Sequence, residues 1–331
     1  MPRLKHVGRD ALTIERRRVG TGFVYYTAAG RRVRDKALLA RARHLALPPA
    51  WTDVRIAADP FAHLQAVGVD AAGRLQYVYH SDWERRRTLR KQKHLTALAA
   101  ALPRLRRHVR QDLEAEAGSK QLALAIGVAL IDRTSMRVGR ERYLAERGTR
   151  GAGTLLKRDV TVRGNEVRLS FPAKSGKRSV YKITDERLAD AMARIKTIPG
   201  NRLLMYINGA GGPQPIRSDE INAYLKEITG VPVSAKDFRT LHASALAGEA
   251  LAAIEPAESE TGRKRQIADV IKRVAAFLQN TPAICRRSYI APCLIDLFER
   301  RELSAVWVNG ADGSNGLRQR EARLAAILAM Y

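Results

Sequence analysis

The sequence changes character near residue 85, and this change constrains the fold more than any other feature. Before it, short β-branched or alternating stretches are separated by turns, which is typical of β-strands. These stretches cover residues 22–27, 53–57, 63–68 and 75–79, and one short helix is predicted over Asp35–His44. After it, apolar residues recur mostly at helical spacing. We therefore predict an α+β protein with a small β-rich N-terminal domain and a larger, mainly α domain.

The predicted domain boundaries lie at the two ends of this transition. Residues 1–84 form the β-rich domain, residues 85–93 a basic linker and residues 94–331 the mainly α domain. Within the larger domain, three strands joined by tight turns predict a meander over residues 157–183. Its second turn contains the sequence Lys-Ser-Gly-Lys at 174–177.

Most of the larger domain is predicted to be helical. Predicted helices cover residues 120–131, 236–254, 263–278, 288–300 and 317–330, and a loop covers 256–262. Two more helices end near Ile195 and Ile228, and Thr184 and Ser218 are their predicted N-caps. A hydroxyl group at that position accepts a hydrogen bond from a backbone N–H group of the first helical turn.

The charge of the chain predicts a polyanionic partner. The chain has 59 Lys and Arg residues against 33 Asp and Glu residues, a net charge of +26. Arg85–Arg110 contains ten of these basic residues and no acidic residue. A solvated helix face usually mixes both signs, so this block favours a track for nucleic acid. A coding bias towards arginine and alanine explains part of the arginine count but not its clustering.

Several classes of protein are excluded. No run approaches 18 apolar residues, and the N-terminus has no apolar segment of a secretory signal, so neither a membrane protein nor a secreted protein is predicted. Two cysteines exclude a disulfide scaffold and favour a reducing compartment. The seven histidines lack the paired spacing of a zinc site. No phosphate-binding GxxxxGK[ST] motif and no acidic cluster for two metal ions occur.

Chemistry on a nucleic acid without metal or nucleotide would depend on basic side chains and a side-chain nucleophile. Four segments carry suitable residues, at 132–143, 171–177, 235–244 and 278–290. Two arginines can hold the non-bridging oxygens of a phosphodiester, where negative charge gathers in the transition state. A lysine can protonate the leaving oxygen, and a tyrosine hydroxyl can form a covalent phosphoester.

These segments resemble the active site of the type IB DNA topoisomerases, especially their compact poxvirus-like and bacterial form. Segments of the N-terminal part, at 47–51, 59–60, 63–66 and 73–77, resemble the same family. Each match alone is weak, since a lone arginine or tyrosine usually has a structural role. The matches together, in the right order over nearly the whole chain, favour the resemblance.

The resemblance implies a role for each of five residues. Tyr289 is the expected nucleophile that forms a 3′-phosphotyrosyl link, and Arg137 and Arg239 are expected to bind the scissile phosphate. Lys174 corresponds to the general acid for the 5′-oxygen. Asn280 stands where many relatives carry histidine, so we expect a neutral hydrogen-bond donor there. His242, three residues after Arg239, receives no catalytic role.

The resemblance also implies contacts with DNA outside the chemistry. The expected DNA-contacting residues are Gln76, Tyr77, Tyr79, Arg140 and Tyr143. Arg140 and Tyr143 follow Arg137 by three and six residues, so they are predicted to share one helical side with it. Arg140 is suited to bidentate contact with guanine. The alternative for Tyr79 is an aromatic residue in the core of the β-rich domain.

The function implied is relaxation of supercoiled DNA without ATP. One strand is cut, swivels and is resealed inside a two-domain clamp around duplex DNA. No cofactor and no essential metal are expected, with a divalent cation at most as a stimulant. A monomer acting on the nucleoid in the bacterial cytoplasm, without a membrane partner, is expected.

Two alternatives stay open at this point. A tyrosine recombinase would share the catalytic residues and fold, but residues 48–51 and 63–77 resemble the topoisomerases. Recombinases also usually place a histidine two residues before the second arginine, where this chain has Asp237. The second alternative is a non-catalytic nucleoid-binding protein.

Overall fold

The protein consists of two compact units, residues 1–91 and residues 92–331. The structure is a computed structural model that describes residues 3–173, 176–308 and 318–331. In the described part of the chain, no helix is long and apolar enough to cross a bilayer.

The N-terminal unit is built on a five-stranded antiparallel sheet with the order β2-β1-β3-β4-β5. Its strands are β1 (Ile14–Val19), β2 (Gly22–Tyr26), β3 (Thr52–Ile56), β4 (Leu64–Val69) and β5 (Leu75–Tyr79). Helix α1 (Lys36–His44) packs half-buried leucines against the sheet, and Asp35 caps its N-terminus. The four predicted strands and the short helix are therefore confirmed, whereas β1 is an addition.

Strand β1 was not predicted because three consecutive arginines, Arg16–Arg18, mask its alternation of apolar and polar residues. The first of them points inward and is 8% exposed. Its guanidinium donates hydrogen bonds to the carbonyl oxygens of Leu47, Pro48 and Trp51 at 2.9–3.0 Å. It also lies 4.2 Å from the ring centroid of Phe23. A buried arginine here holds the loop that follows α1 against the sheet.

Helix α2 (Ser81–Asp112) carries the basic block. Residues 85–93, the predicted linker, are helical and belong to α2, and the boundary between the two compact units falls among them. Most basic side chains of the block are exposed. Arg106 differs, because it forms ion pairs with the buried carboxylates of Asp132 and Glu321.

The larger unit is mainly helical, as predicted, around the almost completely buried helix α3. Its remaining elements in chain order are α3 (Lys120–Thr134), α4 (Glu141–Arg147), β6 (Val160–Arg163), β7 (Glu166–Pro172), β8 (Arg178–Thr184), α5 (Glu186–Lys196), β9 (Met205–Ile207), β10 (Pro213–Pro215), α6 (Ser218–Thr229), α7 (Ala235–Ala252), α8 (Glu260–Leu278), α9 (Pro282–Ser288), α10 (Pro292–Glu299), α11 (Leu303–Val308) and α12 (Gln319–Ala329). Strands β6, β7 and β8 form the predicted antiparallel meander. The small β9–β10 hairpin was not predicted.

Two predicted N-caps are wrong by one residue. Asp185, not Thr184, caps α5, because its carboxylate accepts a hydrogen bond from the backbone N–H of Leu188 at 2.9 Å. Ser218 is the first residue of α6, and Arg217 occupies the N-cap position. The backbone N–H of Arg217 donates a hydrogen bond to the carboxylate of Glu220 at 2.8 Å, so the glutamate side chain caps the helix.

Two predicted boundaries near the C-terminus also change. The predicted loop 256–262 is shorter, because Ser259 caps α8 through its hydroxyl and the helix begins at Glu260. The predicted helix 288–300 is divided, since α9 ends at Ser288 and α10 begins at Pro292. Proline suits the first position of a helix, where its missing N–H costs nothing. Tyr289 therefore follows the end of a helix.

Candidate active site

Arg137 lies in a non-helical segment between α3 and α4. Helix α3 stops because Ser135 adopts a left-handed conformation with φ of 56°, and Gly139 has φ of 81°. The predicted helical side shared by Arg137, Arg140 and Tyr143 is therefore wrong. Arg140 is the exposed residue before α4, and Tyr143 is an exposed residue within it.

Two glycines fix the course of this segment. The carbonyl oxygen of Arg137 accepts a hydrogen bond from the N–H of Ala152 at 2.9 Å. A Cβ atom on Gly151 would lie 2.3 Å from that carbonyl oxygen, and one on Gly139 would lie 2.4 Å from the hydroxyl oxygen of Thr154. Because a side chain fits at neither position, the backbones can approach closely and hold Arg137 in place.

The loop that follows α4 and contains Gly151 is joined to the β7–β8 hairpin, which carries the predicted general acid. The N–H of Arg150 donates to the carbonyl oxygen of Pro172 at 2.9 Å, at the end of β7. Across the turn, the N–H of Ala173 donates to the carbonyl oxygen of Lys177 at 2.7 Å. Lys174 itself lies outside the described residues.

Arg239, near the N-terminus of α7, is 4% exposed and is held by backbone oxygens. Its Nη1 donates to the carbonyl oxygen of Ser135, and its Nη2 donates to that of Leu278 at 2.8 Å. The Nε atom is buried and has no hydrogen-bond partner among the described residues. Neutral acceptors orient this guanidinium without neutralising it, so its charge is available to an anion.

Tyr289 is the residue that follows α9, and its half-buried ring lies 5.2 Å from the guanidinium carbon of Arg239. Its N–H donates to the carbonyl oxygen of Cys285 at 2.9 Å. The hydroxyl of Ser244 donates to the carbonyl oxygen of Tyr289 at 3.2 Å and accepts from the N–H of Ala291 at 3.0 Å. Helix α7 therefore positions both Arg239 and the backbone of Tyr289.

Asn280 follows directly after the left-handed residue Gln279, which ends α8. Its Oδ1 accepts a hydrogen bond from Nη2 of Arg137 at 3.1 Å. Its Nδ2 is buried and unpartnered among the described residues. The side chain of Gln279 accepts a hydrogen bond from the hydroxyl of Ser179, which connects this turn to β8.

The described residues thus bring four of the five predicted catalytic residues together, with two arginines that lack a described carboxylate partner. Burial, together with the charge of Arg239, lowers the pKa of the Arg137 guanidinium. Burial raises the pKa of the Tyr181 and Cys285 side chains, and both arginines act against that rise. A site with two poorly compensated cations and unpaired donors is suited to bind a phosphate.

The predicted DNA-contacting residues of β5 point to both faces of their strand. The rings of Tyr77 and Tyr79 stack with centroids 6.2 Å apart, and Tyr77 is 39% exposed. Tyr79 also contacts the ring of His63 and packs at the edge of a small core, as the alternative prediction stated. Gln76 lies on the other face, where its Nε2 donates to Asp70 at 2.8 Å.

Sequence reasoning missed the residues that hold the predicted catalytic side chains. Ser135 provides the acceptor for Arg239, and Gln279 provides the turn before Asn280. Both are non-glycine residues in the left-handed region, which a sequence signal does not reveal. His242 was assigned no role, yet its ring contacts Ser135.

Comparison with known proteins identifies the family. Residues 80–291 match the family model described as the catalytic core of eukaryotic DNA topoisomerase I. Residues 22–70 match the model described as the N-terminal domain of bacterial DNA topoisomerase IB. Neither match favours a recombinase or a non-catalytic protein.

Three viral relatives resemble most of the chain. DNA topoisomerase 1B of Acanthamoeba polyphaga mimivirus is 28% identical over 293 residues, which cover 86% of this chain and 87% of the relative. DNA topoisomerase 1B of vaccinia virus strain Copenhagen is 21% identical, and DNA topoisomerase I of monkeypox virus is 20% identical. Both matches cover 77% of this chain and 80% of the relative. The catalytic-core match spans more than half of the length of this chain. The chain therefore belongs to the type IB DNA topoisomerase family.

Proposed function

We propose that this type IB topoisomerase relaxes supercoiled DNA by joining Tyr289 to the 3′ end of one cut strand. The observation that carries the proposal is the pair of guanidiniums, Arg137 and Arg239, beside the tyrosine ring. Neither forms an ion pair with a carboxylate of the described residues, and Nε of Arg239 and Nδ2 of Asn280 are buried without partners. An anion with several acceptor oxygens would satisfy these donors.

The proposed chemistry exchanges one phosphoester for another. The hydroxyl oxygen of Tyr289 attacks the phosphorus and gives its proton to solvent, while the bond from phosphorus to the 5′-oxygen breaks. Arg137 and Arg239 stabilise charge on the non-bridging oxygens, and Nδ2 of Asn280 donates to one of them. Lys174, by its resemblance to the family's general acid, protonates the departing 5′-oxygen.

Religation is the reverse reaction. The 5′-hydroxyl gives its proton to Lys174 and attacks the phosphorus of the phosphotyrosyl link, and Tyr289 leaves and recovers its proton from solvent. Because one phosphoester replaces another, the energy of the DNA backbone is retained and ATP is not needed. The two guanidiniums supply the positive charge that a metal ion would supply elsewhere, so we propose no essential metal and at most a stimulating role for a divalent cation.

We further propose that one copy of the chain closes as a clamp around duplex DNA. The exposed basic residues of α2 would bind backbone phosphates, which account for most of the affinity of such proteins. Tyr77 and Gln76 in the N-terminal unit, and Arg140 and Tyr143 in the larger unit, are the proposed groove and phosphate contacts. The bacterial nucleoid is the proposed site of action.

The decisive experiment is relaxation of a supercoiled plasmid in EDTA without ATP. The unaltered protein should relax the plasmid, and denaturation during the reaction should trap it on the 3′ end of the DNA. Tyr289→Phe should bind DNA but neither relax nor become trapped. Tyr206→Phe is the matched control, since Tyr206 is half-buried and its hydroxyl donates a hydrogen bond only to Gln214 among the described residues.

Relaxation that survives Tyr289→Phe would show that another residue is the nucleophile. The recombinase alternative is tested by mixing two defined duplexes. Exchange of strands between them without plasmid relaxation would contradict the proposed function.

A further inference from the structure

A buried network of ion pairs joins helices α2, α3 and α12 and lies close to the predicted catalytic residues. The guanidinium of Arg106 donates to both carboxylate oxygens of Asp132 at 2.8 and 2.9 Å. It also donates to both oxygens of Glu321 at 2.8 and 3.0 Å. Burial opposes ionisation of the Asp132 carboxyl group, but the neighbouring His242 ring and the Arg106 guanidinium hold its pKa below the usual range.

His242 connects this network to the active site. The residue is 3% exposed, and its Nε2 lies 3.3 Å from Asp132 Oδ1 and 3.6 Å from Glu321 Oε1. Its Nδ1 lies 2.7 Å from the hydroxyl oxygen of Ser135, a hydrogen-bond distance. The edge of the ring packs against Phe238. The hydrogen bond at Nδ1 and the ring packing therefore orient the imidazole, whereas Nε2 lies near the two carboxylates without a hydrogen bond to any described residue.

A metal ion does not explain this cluster. Asp132, His242 and Glu321 offer ligand atoms within 4.8 Å of one another, which is a spacing that a cation could use. The carboxylates are already occupied, because Arg106 makes two hydrogen bonds to each of them. The Arg106 guanidinium therefore supplies the positive charge that a cation would supply at this cluster.

Ser135 is the point at which the network reaches the catalytic arginines. Its hydroxyl binds His242, its carbonyl oxygen accepts from Nη1 of Arg239, and it precedes Arg137 by two residues. Its left-handed backbone, with φ of 56°, is unfavourable for a residue with a side chain and persists only where neighbours impose it. Arg239 and His242, one turn apart on α7, hold this residue from two sides.

We propose that His242 is a positioning residue for DNA cleavage, which holds Ser135 so that the Arg239 guanidinium is fixed against the scissile phosphate. The proposal rests on the proposed function. A displacement of about 1 Å in a catalytic group lowers rates roughly 100-fold. His242→Ala should therefore slow cleavage by about 10- to 100-fold, with little change in DNA affinity.

The test measures single-turnover formation of the covalent complex on two DNA substrates. One carries a normal scissile phosphate, and the other carries a methylphosphonate, in which a methyl group replaces a charged non-bridging oxygen. Arg239→Ala should slow cleavage of the normal substrate much more than cleavage of the neutral one. His242→Ala should show the same selectivity, because its effect passes through Arg239. A purely structural role would slow both substrates equally.

Three further variants separate positioning from stability. Ser135→Ala should reproduce the effect of His242→Ala, and the double variant should be no slower than either, because both remove one link. His242→Asn, whose amide can still bind the Ser135 hydroxyl, should recover most of the rate. Leu328→Ala, in the buried core of α12, should lower the melting temperature without the substrate selectivity.

The outcomes distinguish this inference from the proposed function. If the unaltered protein forms no covalent complex that Tyr289→Phe abolishes, the proposed function fails. If it does form that complex, but His242→Ala and Ser135→Ala slow both substrates equally or neither, only the positioning role is overturned. Should His242→Ala fail to fold, Ser135→Ala and His242→Asn decide the question by the same selectivity.

Discussion

The two polar atoms of the Asn280 side chain have different partners, which allows their roles to be separated by substitution. Oδ1 accepts a hydrogen bond from Arg137 at 3.1 Å, whereas Nδ2 is buried and lacks a partner among the described residues. We propose that Nδ2 donates to the phosphate. Asn280→Asp keeps the shape and the acceptor but removes the donor, Asn280→Ala removes both, and Asn280→His restores a donor.

The structure gives an order for the cleavage rates. Loss of one preorganised donor to a developing oxyanion costs about 3–4 kcal/mol, or 10²–10³-fold in rate. We therefore expect Asn280→Ala to be slowed by about that factor. Asn280→Asp places a negative charge near the phosphate, and two unit charges ~4 Å apart repel by about 4 kcal/mol in a partly screened site. Arg137 offsets part of this repulsion. The aspartate variant should therefore be slower than the alanine variant, but by a smaller factor than the full repulsion would give.

The assay is single-turnover formation of the covalent complex at saturating DNA, with DNA affinity measured separately. Asn280→His should be the fastest of the three variants. All three should melt within a few degrees of the unaltered protein, because Asn280 is only half-buried. Cleavage by Asn280→Asp at the unaltered rate, or faster than Asn280→Ala, would refute the assignment of Nδ2 as a donor.

Four further predictions concern the charged residues. Changing the exposed arginines within residues 85–90 to glutamine should lower the slope of log affinity against log salt by about 0.9 for each DNA phosphate that is no longer neutralised, while cleavage at saturating DNA stays unchanged. Asp132→Asn leaves Arg106 buried and less compensated, so urea unfolding should show a loss of about 3–5 kcal/mol. In the unaltered protein, the lowered pKa of Asp132 means that its stabilising contribution is complete above about pH 4 and decreases as the pH falls further, which unfolding curves at several pH values would detect. Arg16→Met should cost about 3 kcal/mol, measured in urea, because one buried and two partly buried carbonyl oxygens lose their donor.

The fold was predictable where a local pattern is sufficient. The strands with alternating or β-branched residues and the meander at 157–183 followed from short-range signals. Strand β1 did not, because the inward position of Arg16 depends on carbonyl oxygens more than 30 residues away. The divided helix near Tyr289 was missed although Pro292 was visible, since a proline can either begin a helix or interrupt one.

The candidate site was predictable as a set of residues but not as a geometry. The order of motifs indicated Arg137, Arg239, Asn280 and Tyr289. The left-handed turn at Ser135, which carries Arg137 out of α3, has no reliable sequence signal. The ion network was equally hidden, since Arg106 and Glu321 are 215 residues apart and each had many possible partners of opposite charge.

The acceptors around each buried arginine explain which of them can hold a phosphate. A guanidinium has five N–H donors and a permanent charge. Arg106 gives four hydrogen bonds to two carboxylates, so both its donors and its charge are used within the protein. Arg16 keeps its charge but gives its hydrogen bonds to three carbonyl oxygens and packs against an aromatic ring. Arg239 gives one bond from each Nη atom to a carbonyl oxygen and retains both its charge and an unpartnered Nε among the described residues. Because a phosphate needs both charge and free donors, the partners of an arginine, more than its burial, determine whether it can serve the chemistry.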